Sequence, residues 1–86
     1  MAQVTLLYFA SVREQLGLDV ESREVPDGVQ TVQALIDWLI AQDERYAGAF
    51  AVRDKLRCAL DQVMAPLDAP LAGASEIAFF PPVTGG

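Results

Sequence analysis

Residues 31–42 read TVQALIDWLIAQ, and this stretch decides the fold. Val32, Leu35, Ile36, Leu39 and Ile40 recur three and four positions apart, which puts them on one stripe of an α-helix at about 100° per residue. Thr31, just before the stripe, is a good N-cap because its hydroxyl can accept from a first-turn amide that has no partner inside the helix. Trp38 falls off the stripe by roughly a third of a turn or more and is expected to shield the helix flank. A helix with one apolar stripe has to lay it on something, and the flanking sequence supplies strands.

Upstream, residues 3–9 (QVTLLYF) are rich in β-branched and aromatic residues. Val4, Leu6 and Tyr8 share one face and Thr5, Leu7 and Phe9 the other, so both faces are apolar enough for an interior strand. Residues 10–16 (ASVREQL) have helical propensity and end at Gly17, a suitable C-terminal cap. Residues 20–25 form a second strand whose alternating charges suggest a solvated face, and Pro26-Asp27-Gly28 is a turn. Downstream, Asp43 is placed to cap a short helix carrying Tyr46 and Phe50, whose i, i+4 spacing makes them core filler. Residues 57–60 and 63–64 read as two short strands joined at Asp61-Gln62, without the Asn-Gly or Asp-Gly pair that a tight hairpin favours. Pro66, Asp68, Pro70, Ala72 and Gly73 mark an irregular connection, and residues 76–80 (EIAFF) form a last strand stopped by Pro81. One main helix covers one face of a mixed sheet, so an apolar patch is expected on the other.

Eighty-six residues, 52% hydrophobic, are enough for one domain with one core. A formal charge of −6 argues against nucleic acid or an anionic membrane surface as partner and favours a partner with a basic docking surface. There is no histidine, which removes the commonest general base and metal ligand, and a single cysteine excludes an internal disulfide and a multi-thiolate metal site. Cys58 sits in a short apolar strand and is expected to be a buried, inert thiol. Asp43-Glu44 and Asp19 with Glu21 read as solvated charges, and Lys55 is the sole lysine. No metal site is expected. No apolar run approaches the ~18 residues of a membrane span, and the first residues lack a basic leader, so a soluble cytoplasmic protein is expected.

With so little catalytic equipment, attention moves to the last residues, Phe79-Phe80-Pro81-Pro82-Val83-Thr84-Gly85-Gly86. The proline pair cannot extend a sheet ladder and holds an extended path, whereas Gly-Gly is thin and open to approach from every side. Read as the chain end, Gly86 presents a free α-carboxylate on a slim tip. ATP can convert a carboxylate to an acyl-adenylate, and a sulfur donor can displace AMP to leave a thiocarboxylate. No glycine side chain would crowd the attacked carbonyl. The plain alternative is a frayed terminus.

The chain resembles the ubiquitin-like β-grasp family of small, sulfur-carrying subunits of molybdopterin synthase. The likeness is carried by VTLLYFASVREQLG (4–17), TVQALIDWLIAQ (31–42), LDAPLAGASEIAFF (67–80) and PPVTGG (81–86). It implies an α+β fold: a mixed β-grasp sheet on one main helix with short extra helices over residues 1–80, and a flexible tail over 81–86. It also implies that a partner adenylyltransferase resembling ubiquitin-activating enzymes uses ATP and magnesium to adenylate Gly86, with no cofactor held by the chain itself. The adenylate becomes a thiocarboxylate, and Gly85 is the narrow link that precedes it. The large catalytic subunit of the synthase, in a heterotetramer, then accepts the tail, and sulfur passes to cyclic pyranopterin monophosphate. The chain alone is not an enzyme in this scheme. Two departures from relatives fall in turns: Ala74-Ser75-Glu76 where Gly-Asp-Glu is frequent, and Asp61-Gln62 where Asn is usual.

For docking, the residues themselves suggest a patch. Phe9 ends the first strand, Met64 lies in the hairpin, and Phe79 and Phe80 must point to opposite faces, with Phe80 expected outside. Arg13 adds a charge at the rim, and Pro81, Pro82, Val83 and Thr84 complete the partner-binding set. Three readings stay open on the residues: a sulfur carrier for molybdopterin, a carrier or lysine-linked modifier serving another acceptor (thiamin, cysteine, tRNA), and a β-grasp interaction module without terminal chemistry.

Overall fold

The computed structural model describes residues 2–82; Met1, Val83, Thr84, Gly85 and Gly86 lie outside them. In chain order the elements are β1 (Ala2–Tyr8), α1 (Ala10–Leu16), β2 (Val20–Val25), α2 (Val32–Gln42), α3 (Arg45–Ala49), a 3-10 turn (Arg53–Lys55), β3 (Arg57–Leu60), β4 (Val63–Ala65) and β5 (Glu76–Phe80). The five strands make one mixed sheet in the order β2-β1-β5-β3-β4. β5 runs parallel to β1, and the remaining pairs are antiparallel. This is the β-grasp arrangement, with one long helix against one face of the sheet.

The alternation expected in β1 holds. Val4, Leu6 and Tyr8 are buried beneath α2, together with Ile77 and Phe79 of β5 and Cys58 of β3. From α2 come Val32, Leu35, Ile36 and Leu39, all buried, while Ile40 is half-buried at the edge of the stripe. Tyr46 and Phe50 fill the core as expected, with Phe50 tilted onto Phe79 at 5.1 Å between ring centres and Phe79 stacked on Tyr8 at 6.1 Å. Ring pairs of this kind add about 0.5–1.5 kcal/mol beyond the area they bury. Asp43 does the work expected of a cap, accepting the Arg45 amide at 2.9 Å, although the helix begins two residues later. That backbone hydrogen bond holds its carboxyl below the ordinary carboxylate range.

The first-turn amides of α2 all find acceptors. Ala34 N–H donates to Thr31 Oγ1 at 3.1 Å, Val32 N–H to the Ala69 carbonyl at 3.1 Å and Gln33 N–H to the Leu67 carbonyl at 2.7 Å. The irregular connection between β4 and β5 is therefore tied to the helix start rather than free. The hairpin at Asp61-Gln62 is tight after all. Both residues have positive φ, 49° and 72°, the twist a two-residue hairpin needs even without glycine. Asp61 Oδ1 accepts the amides of Ser75 and Glu76, each at 2.9 Å. The turn at Asp61-Gln62 and the segment Ala74-Ser75-Glu76 thus touch each other.

β2 corrects one expectation. Ser22 and Glu24 are exposed, but Glu21 and Arg23 point toward the helix side and are half-buried. Glu21 Oε2 accepts the hydroxyls of Tyr8 at 2.7 Å and Tyr46 at 2.5 Å. Arg23 lies 4.0 Å from the same carboxylate, with its guanidinium over the rings of Trp38, at 5.3 Å, and Tyr46, at 5.9 Å. Alternation alone cannot tell which face of an edge strand meets water, and here two tyrosine hydroxyls at the core margin require an acceptor. Trp38 covers Arg23, consistent with the flank-shielding role expected of it.

Two outcomes follow from this cluster. Glu21→Ala should destabilise the fold by about 2–3 kcal/mol, because it strands the Tyr8 hydroxyl, whereas the outward Glu24→Ala should stay within about 0.5 kcal/mol; urea unfolding measures both. Burial, then the Glu21 bond, push the Tyr46 hydroxyl from 10.0 up to about 12, and Tyr8 is raised further, for the same two reasons in the same order. The unfolded chain releases phenolic protons near pH 10 that the folded chain keeps. Stability should be full below pH 10 and fall as pH climbs toward about 12. Tyrosinate absorbance in the native protein should lag behind that of the denatured chain.

Candidate functional site

β5 ends at Phe80 in the middle of the sheet, and the chain leaves there through Pro81 and Pro82, both half-buried. β1 runs beside it in the same direction, with Tyr8 opposite Phe79, so Phe9 and Phe80 are neighbours at the same end. Phe9 keeps an extended backbone (φ −125°, ψ 154°) but belongs to the turn into α1, one residue past the strand expected to contain it. Its amide still donates to the Phe79 carbonyl at 3.1 Å, which extends the ladder. The next residue, Ala10, takes φ 51°, a left-handed geometry uncommon without glycine, and turns the chain away. Phe9 stays 46% exposed as a result.

Phe79 and Phe80 divide as expected: Phe79 is fully buried, and Phe80 lies on the outer face, half-buried rather than open. Phe80 faces Arg57 across β3, whose guanidinium donates to the carbonyls of Asp54 and Leu56. Met64 is 62% exposed on the same face. It joins the aromatic pair through a row that the strand register creates: Val20, Leu7, Ala78, Ala59 and Met64 lie side by side across all five strands. Sequence reading named only Met64 from this row. Leu7 was visible as an outer-face residue, but Val20, Ala78 and Ala59 become one band only when register is known.

Arg13 sits one helical turn after Phe9, exposed, with no side-chain partner among the described residues. Of the expected site, the structure thus gathers Phe9, Phe80, Pro81 and Pro82 at the end of the sheet, with Met64 across the outer face and Arg13 on the adjoining helix. Val83, Thr84, Gly85 and Gly86, including the residue expected to carry sulfur, lie outside the described residues.

Cys58 is buried beneath the helix with Sγ 3.2 Å from the Ala65 carbonyl, and burial pushes its thiol up. Both features suit an inert core thiol. Among the described residues, no three His, Cys, Asp or Glu side chains converge into a metal-holding group, and no helix is long and apolar enough to cross a membrane. A mainly apolar hollow of about 550 Å³ lies at the other end of the sheet, near Ala2, Val25, Val29, Pro70 and Leu71. It is remote from the tail root.

Comparison with known proteins bears on the chain as a whole. The molybdopterin synthase sulfur carrier subunit of Escherichia coli is 44% identical over 84 residues, covering 96% of this chain and 99% of that protein. The protein of the same description from Mycobacterium tuberculosis is 34% identical over 87 residues, covering all of both chains. Among solved structures, the putative molybdopterin converting factor, subunit 1, of Pyrococcus furiosus superposes with a TM-score of 0.73 at 26% identity, covering 96% of this chain and 100% of that one. SAMP1 from Haloferax volcanii gives 0.71 at 26% identity, covering 99% and 100%. The ThiS family matches residues 6–86, and the chain belongs to it.

Proposed function

We propose that this chain is the sulfur carrier subunit of a molybdopterin synthase, a non-catalytic protein whose C-terminal glycine bears the transferred sulfur. The observation that carries this reading is 44% identity, spread over 96% of the chain, to a relative of that description. The geometry supports it. A central strand delivers the proline neck to the sheet end, beside exposed Phe9 and an apolar outer face on which a partner can rest. The large synthase subunit is that partner.

The chemistry follows from what a carboxylate lacks. Its carbon is a poor electrophile until one oxygen becomes part of a leaving group. A partner adenylyltransferase, using ATP and magnesium, attaches AMP to Gly86 and releases pyrophosphate. Sulfur from a donor then displaces AMP, leaving a thiocarboxylate. Inside the large subunit its sulfur attacks cyclic pyranopterin monophosphate, and water then cleaves the acyl–sulfur bond of the resulting thioester, leaving sulfur on the pterin and returning the Gly86 carboxylate; two carriers serve the two sulfurs of the dithiolene. Gly85 and Gly86 present no side chain to a narrow active site. The proline neck has little backbone freedom to lose on entry, which lowers the ordering cost of docking. The reactions occur in the cytoplasm.

SAMP1 superposes as well as the converting factor does, so the fold by itself is compatible with more than one acceptor. Sequence identity is what favours molybdopterin: 44% to the E. coli carrier against 26% to SAMP1.

Reconstitution with the large subunit tests the proposal. Deleting Gly86, or adding a tag after it, should abolish conversion of the pterin while leaving the unfolding midpoint unchanged; conversion by the truncated protein would overturn the reading. Intact-mass spectrometry after incubation with the activating enzyme, ATP and a sulfur donor should show oxygen replaced by sulfur. Isopeptide conjugates in cells would instead favour a modifier. On the outer face, Met64→Asp should weaken binding to the large subunit about tenfold or more, with under 0.5 kcal/mol change in stability, because Met64 is exposed in the free protein.

A further inference from the structure

Phe9, Val20 and Met64, three of the exposed large apolar side chains, belong to the outer sheet face or its end, and Val63 stands at the hairpin tip. Val52 stands apart. It is 53% exposed on the helical side of the molecule, in the wall of a groove of about 300 Å³. Val12 and Leu56 form the apolar floor, Gln15 and Gly48 the sides, and Pro81 with Pro82 one border. Gly48 packs against α1 closely enough that a Cβ there would meet Gln15 Oε1 at 3.3 Å, so α1 and α3 approach without a side chain to fill the space. Lys55 also lines the groove. It is exposed, and no carboxylate pairs with it among the described residues, whereas Arg45 and Arg53 are both paired within the chain.

The proline border decides what covers this groove. Gly86 is four residues beyond Pro82, so an active site that receives it begins within about 14 Å of the groove's edge. Pro81 and Pro82 border the groove on the helical side, so a protein that closes around the tail has this surface within reach. Resting on the sulfur-carrier reading above, we infer that the α1–α3 groove is a second contact for the large synthase subunit, taking an aliphatic side chain against Val52 and a carboxylate against Lys55. Docking is then a two-sided grip on the tail root, with the apolar sheet face on one side and the groove on the other. Net negative charge would suggest a basic partner, but Lys55, the only cation lining the groove among the described residues, asks for an acidic group at this point of the interface.

Titration calorimetry of the full chain against the large subunit from the same organism tests this, with hydrogen exchange as a second readout. Lys55→Glu should weaken binding about tenfold at low salt, with the deficit shrinking as salt is raised, and Lys55→Met should weaken it less. Val52→Asn should cost about threefold or more. Residues 48–56 should gain amide protection in the complex. Glu24→Gln, on the edge strand opposite Gln3 at the far end of β1, should bind like the wild type. Wild-type affinity, within about twofold, in both Lys55→Glu and Val52→Asn would overturn the inference, as would unchanged exchange at residues 48–56. In either case tight binding by the unmutated chain leaves the sulfur-carrier reading intact, whereas failure of the unmutated chain to bind overturns both.

Discussion

The parallel pairing of β5 with β1, in the middle of the sheet, is the constraint on which the rest of this structure depends. A parallel pair cannot be joined by a tight turn, so the chain between them has to travel over the sheet and return. Here α2 makes the crossing, and the connection after β4 is tied to its first turn by Val32 and Gln33. Asp61 then receives the amides of Ser75 and Glu76 at the start of β5. β5 enters already aligned, with Phe79 buried between Tyr8 and Phe50. Pro81 and Pro82, which follow Phe80, inherit that placement.

A carrier has two requirements that oppose each other. The body must be rigid enough to be recognised, yet its reactive group must reach into another protein. The described residues of this chain meet the first. Burial is concentrated under α2, where the core holds aromatic rings and branched aliphatics without a buried charged residue. Glu21 and Arg23, half-buried on the β2 edge, meet two tyrosine hydroxyls and two ring faces there. The opposite sheet face keeps small and apolar side chains in a continuous row, a surface that is inexpensive to desolvate when a partner arrives.

Much of this could be read from the linear sequence. The α2 stripe, the Thr31 cap, the two-faced apolar pattern of β1 and the proline stop after Phe80 are local features with local physical causes. The Phe79/Phe80 division followed from strand alternation alone. What failed, or stayed incomplete, depended on neighbours distant in sequence. Glu21 and Arg23 looked solvated because β2 taken alone gives no sign of the tyrosine hydroxyls beside it. The Asp61-Gln62 turn looked ill-suited to a tight hairpin because its contacts lie fourteen and fifteen residues away.

The sequence by itself determined the class of fold and singled out the tail for the proposed reactive role, since periodicity, capping and the lack of other catalytic side chains are properties of residues in order. Only the tertiary structure decided which apolar residues share a surface. Register across five strands turns Val20, Leu7, Ala78, Ala59 and Met64 into one band, and the packing of α1 on α3 opens the groove that brings Val52 and Lys55 beside the tail root. The physical reason is that a surface is made by pairing between strands and helices, and pairing joins residues that the chain itself keeps apart.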